Sequence, residues 1–365
     1  YPSPYVGDLE DLRTVKALKE TIGRLETLLE VQPEVVVCDL HPKYNSTVVA
    51  EELGLPVLRV QHHYAHILSC MAENDCEEKV IGVSFDGTGY GTDGTIWGGE
   101  LLVADCQGFT RLGSIEPFVQ VGGDISAKEG WRIAVSLIWQ NTGNLEKTLD
   151  TVRKLGLCAD QEAKVLVTMA QRKINAVTST SAGRLFDGVS AILGIRRAST
   201  FEGEASTALE FAAEAWRKQR EMQKKNPEEN LKIRMSEKED IPEGTGISEA
   251  SEDERKFILN TGEIVAYLVR ARLAGEDSGK LAYGFHRALA DEILAACEEA
   301  ERQTGIRKVA LSGGVFQNRL LLELVDDGLT EMGFKVLKHS LIPPNDGGIA
   351  LGQAVYGMAY VQRHR

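Results

Sequence analysis

Val80 to Asp105 reads "VIGVSFDGTGYGTDGTIWGGELLVAD". An apolar run ends at Phe85, a glycine-rich segment follows, and a second strand-like run starts at Thr95. Gly89 to Gly94, "GYGTDG", matches the G-x-G-x-x-G of dinucleotide-binding folds letter for letter. That site needs a helix after its glycines, so that the helix N-terminus meets the pyrophosphate. Here "TIWGGELLVAD" continues as a strand, so the stretch predicts an antiparallel hairpin and the Rossmann assignment fails. A glycine-rich hairpin still brings backbone N–H groups close to phosphate oxygens, which makes Gly87, Thr88 and Gly89 candidate nucleotide contacts. Asp86, at the strand end, suits the metal that accompanies a phosphate, or it is a solvated residue of a tight turn.

Upstream lies "VQHHYAHILS", Val60 to Ser69, which holds three of the seven histidines. A short strand, "LPVLRV", feeds into it, and helical spacing then puts His62 and His66 on one face. Two imidazoles four residues apart are a common way to offer a helix to a metal, with core packing as the alternative. His63 points elsewhere. No glutamate follows His62, so the H-E-x-x-H pattern of zinc proteases is missing and proteolysis is not suggested.

Working outward, helix and strand alternate. "LRTVKALKETIGRLETLL" has helical periodicity from Leu12, and "PEVVVCDL" reads as a buried strand from Pro33. From about Trp131 to Trp216 the pattern is mainly helical, interrupted by "TSTSAGRLFDG". Between Arg217 and Lys256 the chain becomes strongly charged, which predicts a solvated insertion. A helix from about Leu281, a strand "KVALSG", a helix beginning near Gln317, a strand "KVLKH" and a last helix from Gly347 complete the series. The order predicts an α/β protein of two lobes, 1–80 and 81–365, with the charged insertion at about 217–256 in the second.

Three further turns carry candidate site residues. "VALSGGVFQN" runs a strand into Gly313 and Gly314 and places Asn318 at a helix start, an arrangement that suits a nucleotide. "TSTSAGRLFDG" offers Gly183, Arg184 and Asp187, the carboxylate being an acceptor for ribose hydroxyls; capping and packing explain it nearly as well. "PPNDGGIALGQA" sets Asp346 before a helix, where a simple N-cap is the plainer reading. Lys128 and Arg132 in "GGDISAKEGWR", and His41 in "DLHPKYNST", are weaker candidates that packing accounts for as readily.

The 365 residues, 43% hydrophobic and 26% charged, are those of a soluble globular protein with a sizeable core. A net charge of -13 argues against a nucleic-acid footprint, and no apolar run approaches the roughly 20 residues of a membrane span. The start lacks the features of a secretory signal, and the six cysteines show no C-x-x-C spacing. Reduced core cysteines and a cytoplasmic location are expected.

Taken in order, "YVGDLEDL", "CDLHPKYNST", "VQHHYAH", "SFDGTGYGTDGTIWGGE", "TSTSAGRLFDGV", "FEGEA", "LSGGVFQNRLL" and "PPNDGGIALGQA" resemble the C-terminal transferase region of hydrogenase-maturation carbamoyltransferases of the HypF type. That region is similar to the tRNA threonylcarbamoyl transferases of the TsaD type, so the resemblance implies a two-lobed actin-like and sugar-kinase-like ATPase (ASKHA) fold. It implies a divalent metal, iron or zinc, on His62, His66, Asp86 and Asp346, and nucleotide, ATP or carbamoyladenylate, at the glycine turns, Asp187 and Asn318. It further implies carbamoyl transfer to the C-terminal cysteine of a HypE-type partner, the thiocarboxamide later becoming the cyanide ligand of a nickel-iron hydrogenase. No internal cysteine is needed as nucleophile.

Family members usually carry further domains upstream that make the adenylate from carbamoyl phosphate and ATP. This chain has neither their length nor their cysteine motifs, so it reads as a transferase domain alone, with the first hairpin of its first lobe absent. Two rival functions stand beside the transferase. One is tRNA threonylcarbamoylation, disfavoured by the acidic charge and by "SFDGTGYGTDG" in place of that family's serine-glycine turn; the other is a module that binds nucleotide and partner without chemistry.

Overall fold

Asp11 caps the first helix, α1 (Leu12–Leu29), by accepting the Arg13 N–H at 2.8 Å. The computed structural model describes residues 1–224, 248–249 and 257–365. After α1 come β1 (Val36–Asp39), α2 (Asn45–Glu52) and β2 (Val57–Val60), and the two strands pair in parallel as a small separate sheet. Helix α3 (His62–Glu73) then leads into the main sheet: β3 (Val80–Tyr90), β4 (Ile96–Asp105), β5 (Gly108–Ile115) and β6 (Phe118–Val121). A helical stretch follows, with α4 (Ile125–Lys128), α5 (Gly130–Thr142), α6 (Leu145–Leu155) and α7 (Asp160–Arg172) before strand β7 (Ala176–Ser179). Next are α8 (Ala182–Ile192), α9 (Glu204–Lys224), the short β8 (Ser248–Glu249) and β9 (Phe257–Leu259). The chain closes with α10 (Thr261–Leu273), α11 (Ser278–Thr304), β10 (Lys308–Ser312), a 3-10 turn (Gly314–Gln317), α12 (Arg319–Glu331), β11 (Lys335–Leu337) and α13 (Asp346–His364).

Among the described residues nine strands form the main sheet, in the order β11-β10-β3-β4-β5-β9-β8 along its main path, with β7 joining β4 and β6 joining β7. The sheet is mixed: β10 runs parallel to β3 and β11, while β3, β4 and β5 form an antiparallel meander. The expected hairpin is therefore present, but its glycine segment is not all turn. β3 continues to Tyr90, and pairing with β4 shifts register between Phe85 and Gly89. The bulge leaves Asp86, Gly87 and Thr88 outside that ladder and re-aims the Asp86 side chain.

Other boundaries differ from the sequence reading. Strand β7 lies inside the stretch read as helical; four residues are too few for their periodicity to be told from that of their neighbours. Residues 217–224 extend α9 instead of opening the charged insertion, since Lys, Arg, Gln and Met are good helix formers. The rest of that insertion, 225–247 and 250–256, lies outside the described residues. Asn318, not Gln317, marks the start of α12, because the residues before it take the tighter 3-10 path.

Ten consecutive residues of α3, His62 to Met71, are buried. Helix α3 lies between the sheet and α13: its apolar side chains share a core with Val80, Leu102, Ala104, Ala310 and Leu337, and α13 packs on its other side. The final helix also contacts β1, so the end of the chain returns to its first strand. A larger core gathers the helical middle and α10 to α12 on the main sheet. Among the described residues no helix is long and apolar enough to cross a membrane.

The α3–α13 approach is closest at Gly352, where an added Cβ would run into the Ala65 carbonyl. Gly352→Ala is expected to destabilise the chain by about 1–3 kcal/mol through overpacking, read by denaturant unfolding.

Candidate functional site

Gln61 starts α3, its Oε1 accepting the Tyr64 N–H at 2.9 Å, and so makes His62 the first helical residue. His62 and His66 follow on one face with ring centroids 4.8 Å apart. The β3 bulge points Asp86 at them, and Asp86 Oδ1 also accepts the Gly314 N–H at 2.9 Å. Asp346 comes from the far end of the chain as the first residue of α13. The N-cap of that helix is Asn345, whose Oδ1 accepts the Gly347 N–H at 3.1 Å, so Asp346 is free of the capping role and faces the histidines.

His62 Nε2 lies 3.1 Å from Asp86 Oδ2 and 3.3 Å from Asp346 Oδ1. His66 Nε2 lies 3.6 and 3.4 Å from the same two oxygens. Ligand atoms sharing one ion at bonds of 2.0–2.1 Å lie about 3–4 Å apart, and these four spacings fall in that range. His66 Nε2 is fully buried yet has no hydrogen-bond partner, as expected of a ligand nitrogen. Among the described residues these four form the group of His, Cys, Asp and Glu side chains suited to a metal, their ligand atoms all within 4.8 Å.

Burial alone would push His62 toward neutrality, but hydrogen bonds to Asp346, Asp39 and Asp86 outweigh it and hold its pKa well above the ordinary value. The nearby carboxylates of Asp346 and Asp86 raise the pKa of His66 against burial. Burial also works against the charge of Asp86, and the two imidazoles overcome it to hold that carboxyl well below the usual range. His63 goes the other way. Burial and the neighbouring His62 lower its pKa well below the ordinary value; its Nδ1 accepts the Gln61 side-chain amide at 3.1 Å, and its ring packs 6.4 Å from that of Trp97. His63 is a core residue.

Sequence reasoning missed Asp39. It ends β1 and its Oδ2 meets His62 Nδ1 at 2.7 Å, which fixes the ring and directs Nε2 at the other ligand atoms. The available signal was its place at a strand end, shared with Asp86. His41, in the same motif, stacks on Tyr44 at 4.0 Å and presents an edge to Tyr90 at 5.3 Å.

The expected nucleotide residues divide into two kinds. Gly87 and Thr88 lie in the bulge with open space beside Gly87, and they are available to a ligand. Gly183, in the first turn of α8, has no room for a Cβ because Gly87 and the Asp86 carbonyl lie against it; it brings a helix N-terminus onto the bulge. Arg184 Nη2 lies 3.0 Å from Asp187 Oδ2, while Arg184 Nε and Asp187 Oδ2 are buried without hydrogen bonds. Burial pushes the Asp187 carboxyl up to about 6, with Arg184 opposing the shift.

The remaining candidates are engaged within the protein. Gly89 makes room for the His63 ring and His62 Cβ. The Gly313 N–H donates to the Pro344 carbonyl at 2.9 Å and the Gly314 N–H to Asp86, so neither amide points to a phosphate. Asn318 caps α12 through Leu321 N–H at 2.9 Å and its Nδ2 donates to His286 Nε2 at 2.8 Å. Arg132 pairs with Glu129 at 2.5 Å, and Lys128 is exposed on α4.

Comparison with known proteins follows this geometry. A family model described as a carbamoyltransferase, Kae1-like domain, second subdomain, matches residues 82–353, and one described as a HypF Kae1-like domain matches residues 1–73. The chain is 31% identical over 369 residues to a probable carbamoyltransferase HypF of Methanocaldococcus jannaschii, covering all of this chain and 44% of that protein. It is 34% identical to a carbamoyltransferase HypF homolog of Cupriavidus necator, covering 96% of this chain and 84% of that protein. A crystal structure of full-length HypF in a phosphate- and nucleotide-bound form superposes with a TM-score of 0.83 at 34% identity, over 98% of this chain and 43% of that one. The chain thus spans less than half the length of most curated relatives it matches. With these likenesses the ASKHA, TsaD-like α/β fold expected from the motif series holds.

Asp39→Ala is expected to weaken binding of zinc ion by about 10–100-fold with the fold retained, measured by calorimetry. Because His62 is held above the ordinary 6.5, protons compete with a metal into the neutral range. Zinc affinity should therefore rise with pH through and beyond that value, with protons released, and fall in acid.

Proposed function

The chain belongs to the HypF carbamoyltransferase family, and we propose on that premise that it moves the carbamoyl group of carbamoyladenylate onto the C-terminal cysteine thiol of a HypE-type partner during nickel-iron hydrogenase maturation. The observation that carries this reading is the convergence of His62, His66, Asp86 and Asp346 next to the open Gly87–Thr88 bulge and the α8 N-terminus. Such a place is built to receive a negatively charged phosphate ester beside a cation.

In the reaction the partner's thiolate sulfur forms a bond to the carbamoyl carbon. The bond from that carbon to the phosphate oxygen breaks, AMP leaves with the electron pair, and the thiol proton goes to solvent. His62, His66, Asp86 and Asp346 would hold an iron or zinc ion, which would supply Lewis-acid charge to the phosphate. The chain's own groups do the rest: the amides of Gly87 and Thr88 and the first turn of α8 orient the phosphate, and Asp187 with Arg184 meets the ribose hydroxyls.

The chain's thiols support an external acceptor. Burial pushes the thiols of Cys70 and Cys297 up to about 12 and that of Cys158 up to about 11, and it also raises those of Cys38 and Cys106. A thiol held protonated is a poor nucleophile.

The test is mass spectrometry of a cysteine-terminated partner tail after incubation with this chain and supplied carbamoyladenylate. The tail gains one carbamoyl group, and His66→Ala lowers the yield by about 10²–10³-fold, the size of a lost preorganised electrostatic contact. Nucleotide binding without any mass gain would overturn the transfer reading in favour of a binding module.

A further inference from the structure

Helix α3 carries more than the two histidines on its metal-facing side. His62, His66, Ser69 and Glu73 succeed one another at four-, three- and four-residue steps and so share one helix face. Ser69 Oγ donates to the Gly348 carbonyl at 2.8 Å, in the first turn of α13. Glu73 Oε1 accepts the backbone N–H of Ser340 at 2.9 Å and of Ile342 at 3.2 Å, with Leu341 N–H between them. Its other oxygen accepts from His339 Nδ1 at 2.8 Å, and His339 Nε2 meets Ser312 Oγ at 2.8 Å.

The direction of these bonds follows from the carboxylate, which only accepts. His339 must donate through Nδ1, and since burial lowers its pKa and keeps the ring neutral, Nε2 accepts from the Ser312 hydroxyl. Serine, histidine and glutamate in this order resemble an acyl-transfer triad. Ser312 is fully buried at the end of β10, so no acyl carbon reaches its oxygen. The series is a tie between segments.

What it ties is informative. Glu73 ends α3, which bears His62 and His66. Ser312 precedes the turn whose Gly314 N–H holds Asp86. Residues 339–342 lead through Pro343 and Pro344 into Asn345 and Asp346, and the Gly313 N–H fastens the Pro344 carbonyl to the same turn. Asp346 depends on this most. Its side chain is 72% exposed, against 11% or less for the other three.

We infer that Glu73 is a positioning residue for the metal centre: by docking the 338–345 loop on α3 it delivers Asp346 to His62 and His66. The inference rests on the reading of those residues as metal ligands. Docking and metal binding are then reciprocal, each favouring the other by the same factor.

Hydrogen exchange at Ser340, Leu341 and Ile342 in the full chain, with and without zinc ion, tests this together with zinc calorimetry on Glu73→Ala and Glu73→Gln. Zinc is expected to slow exchange of the three amides by about tenfold or more, while α6, in the helical middle, is unchanged. Glu73→Ala should bind zinc about 10–100-fold more weakly with its near-UV spectrum retained. Glu73→Gln, whose amide oxygen still accepts the backbone N–H groups, should recover part of that loss. Wild-type exchange at 340–342 that ignores zinc, or a folded Glu73→Ala with wild-type affinity, overturns the inference. Should Glu73→Ala not fold, the wild-type exchange comparison decides. A wild-type chain that takes up no zinc removes the metal centre, and this inference with it.

Discussion

A helix buried on every side carries three imidazoles out of water, and the structure around it is arranged to compensate them. Ten consecutive residues of α3 have no exposed face, so His62, His63 and His66 cannot turn to solvent. A buried charge without a partner costs several kcal/mol, and a buried neutral ring still needs its polar atoms met. His63 is kept neutral, its Nδ1 meeting Gln61 while its Nε2 stays buried without a partner. His62 and His66 are handled by carboxylates from β1, the β3 bulge and α13, three segments far apart in sequence. The location of these carboxylates decides much else, including the bulge, the Asn345 cap and the return of the last helix to the first strand.

The sequence made the local half of this legible. The hairpin, the histidine pair and the alternation of helix and strand follow from period and spacing, and those signals survive because long apolar runs leave little choice. The bulge did not, because Gly87 and Gly89 in "DGTGY" serve a turn and a kinked strand equally well. Asp346 was weighed as an N-cap because Asp and Asn cap equally well, and only the geometry assigns the role to Asn345. Asp39 shows only its place at a strand end, a weak signal because its partner stands 23 residues away on another element. Strand β7 was hidden by brevity.

Glycine turns posed a different difficulty. A glycine that admits a phosphate and one that admits a neighbouring backbone look the same in a sequence. Gly87 has open space beside it, whereas Gly183 admits the backbone of Asp86 and Gly87, and Gly89 admits the side chains of His62 and His63. The Gly313–Gly314 turn, read as a phosphate cradle, gives its amides to Pro344 and Asp86 and so acts on the ligand set instead. The groups left free for a proposed nucleotide are accordingly fewer than the motif series implied. They are centred on the bulge, the α8 N-terminus and the partly unsatisfied Arg184–Asp187 pair.

This division clarifies the chemistry proposed for the family region. A site that transfers an acyl group to a thiol needs charge for the leaving phosphate and a sulfur able to lose its proton. The first requirement is met by groups of this chain, since the carboxylates that compensate α3 leave His62 Nε2, His66 Nε2 and two aspartate oxygens spaced for a single cation. Burial disfavours the second in five of the six cysteines by raising their pKa. The exposed side chain in the centre is Asp346, so the centre is open on the side on which α13 begins. The four side chains of the centre thus come together only when α3, the β3 bulge and α13, from distant parts of the chain, are all in place.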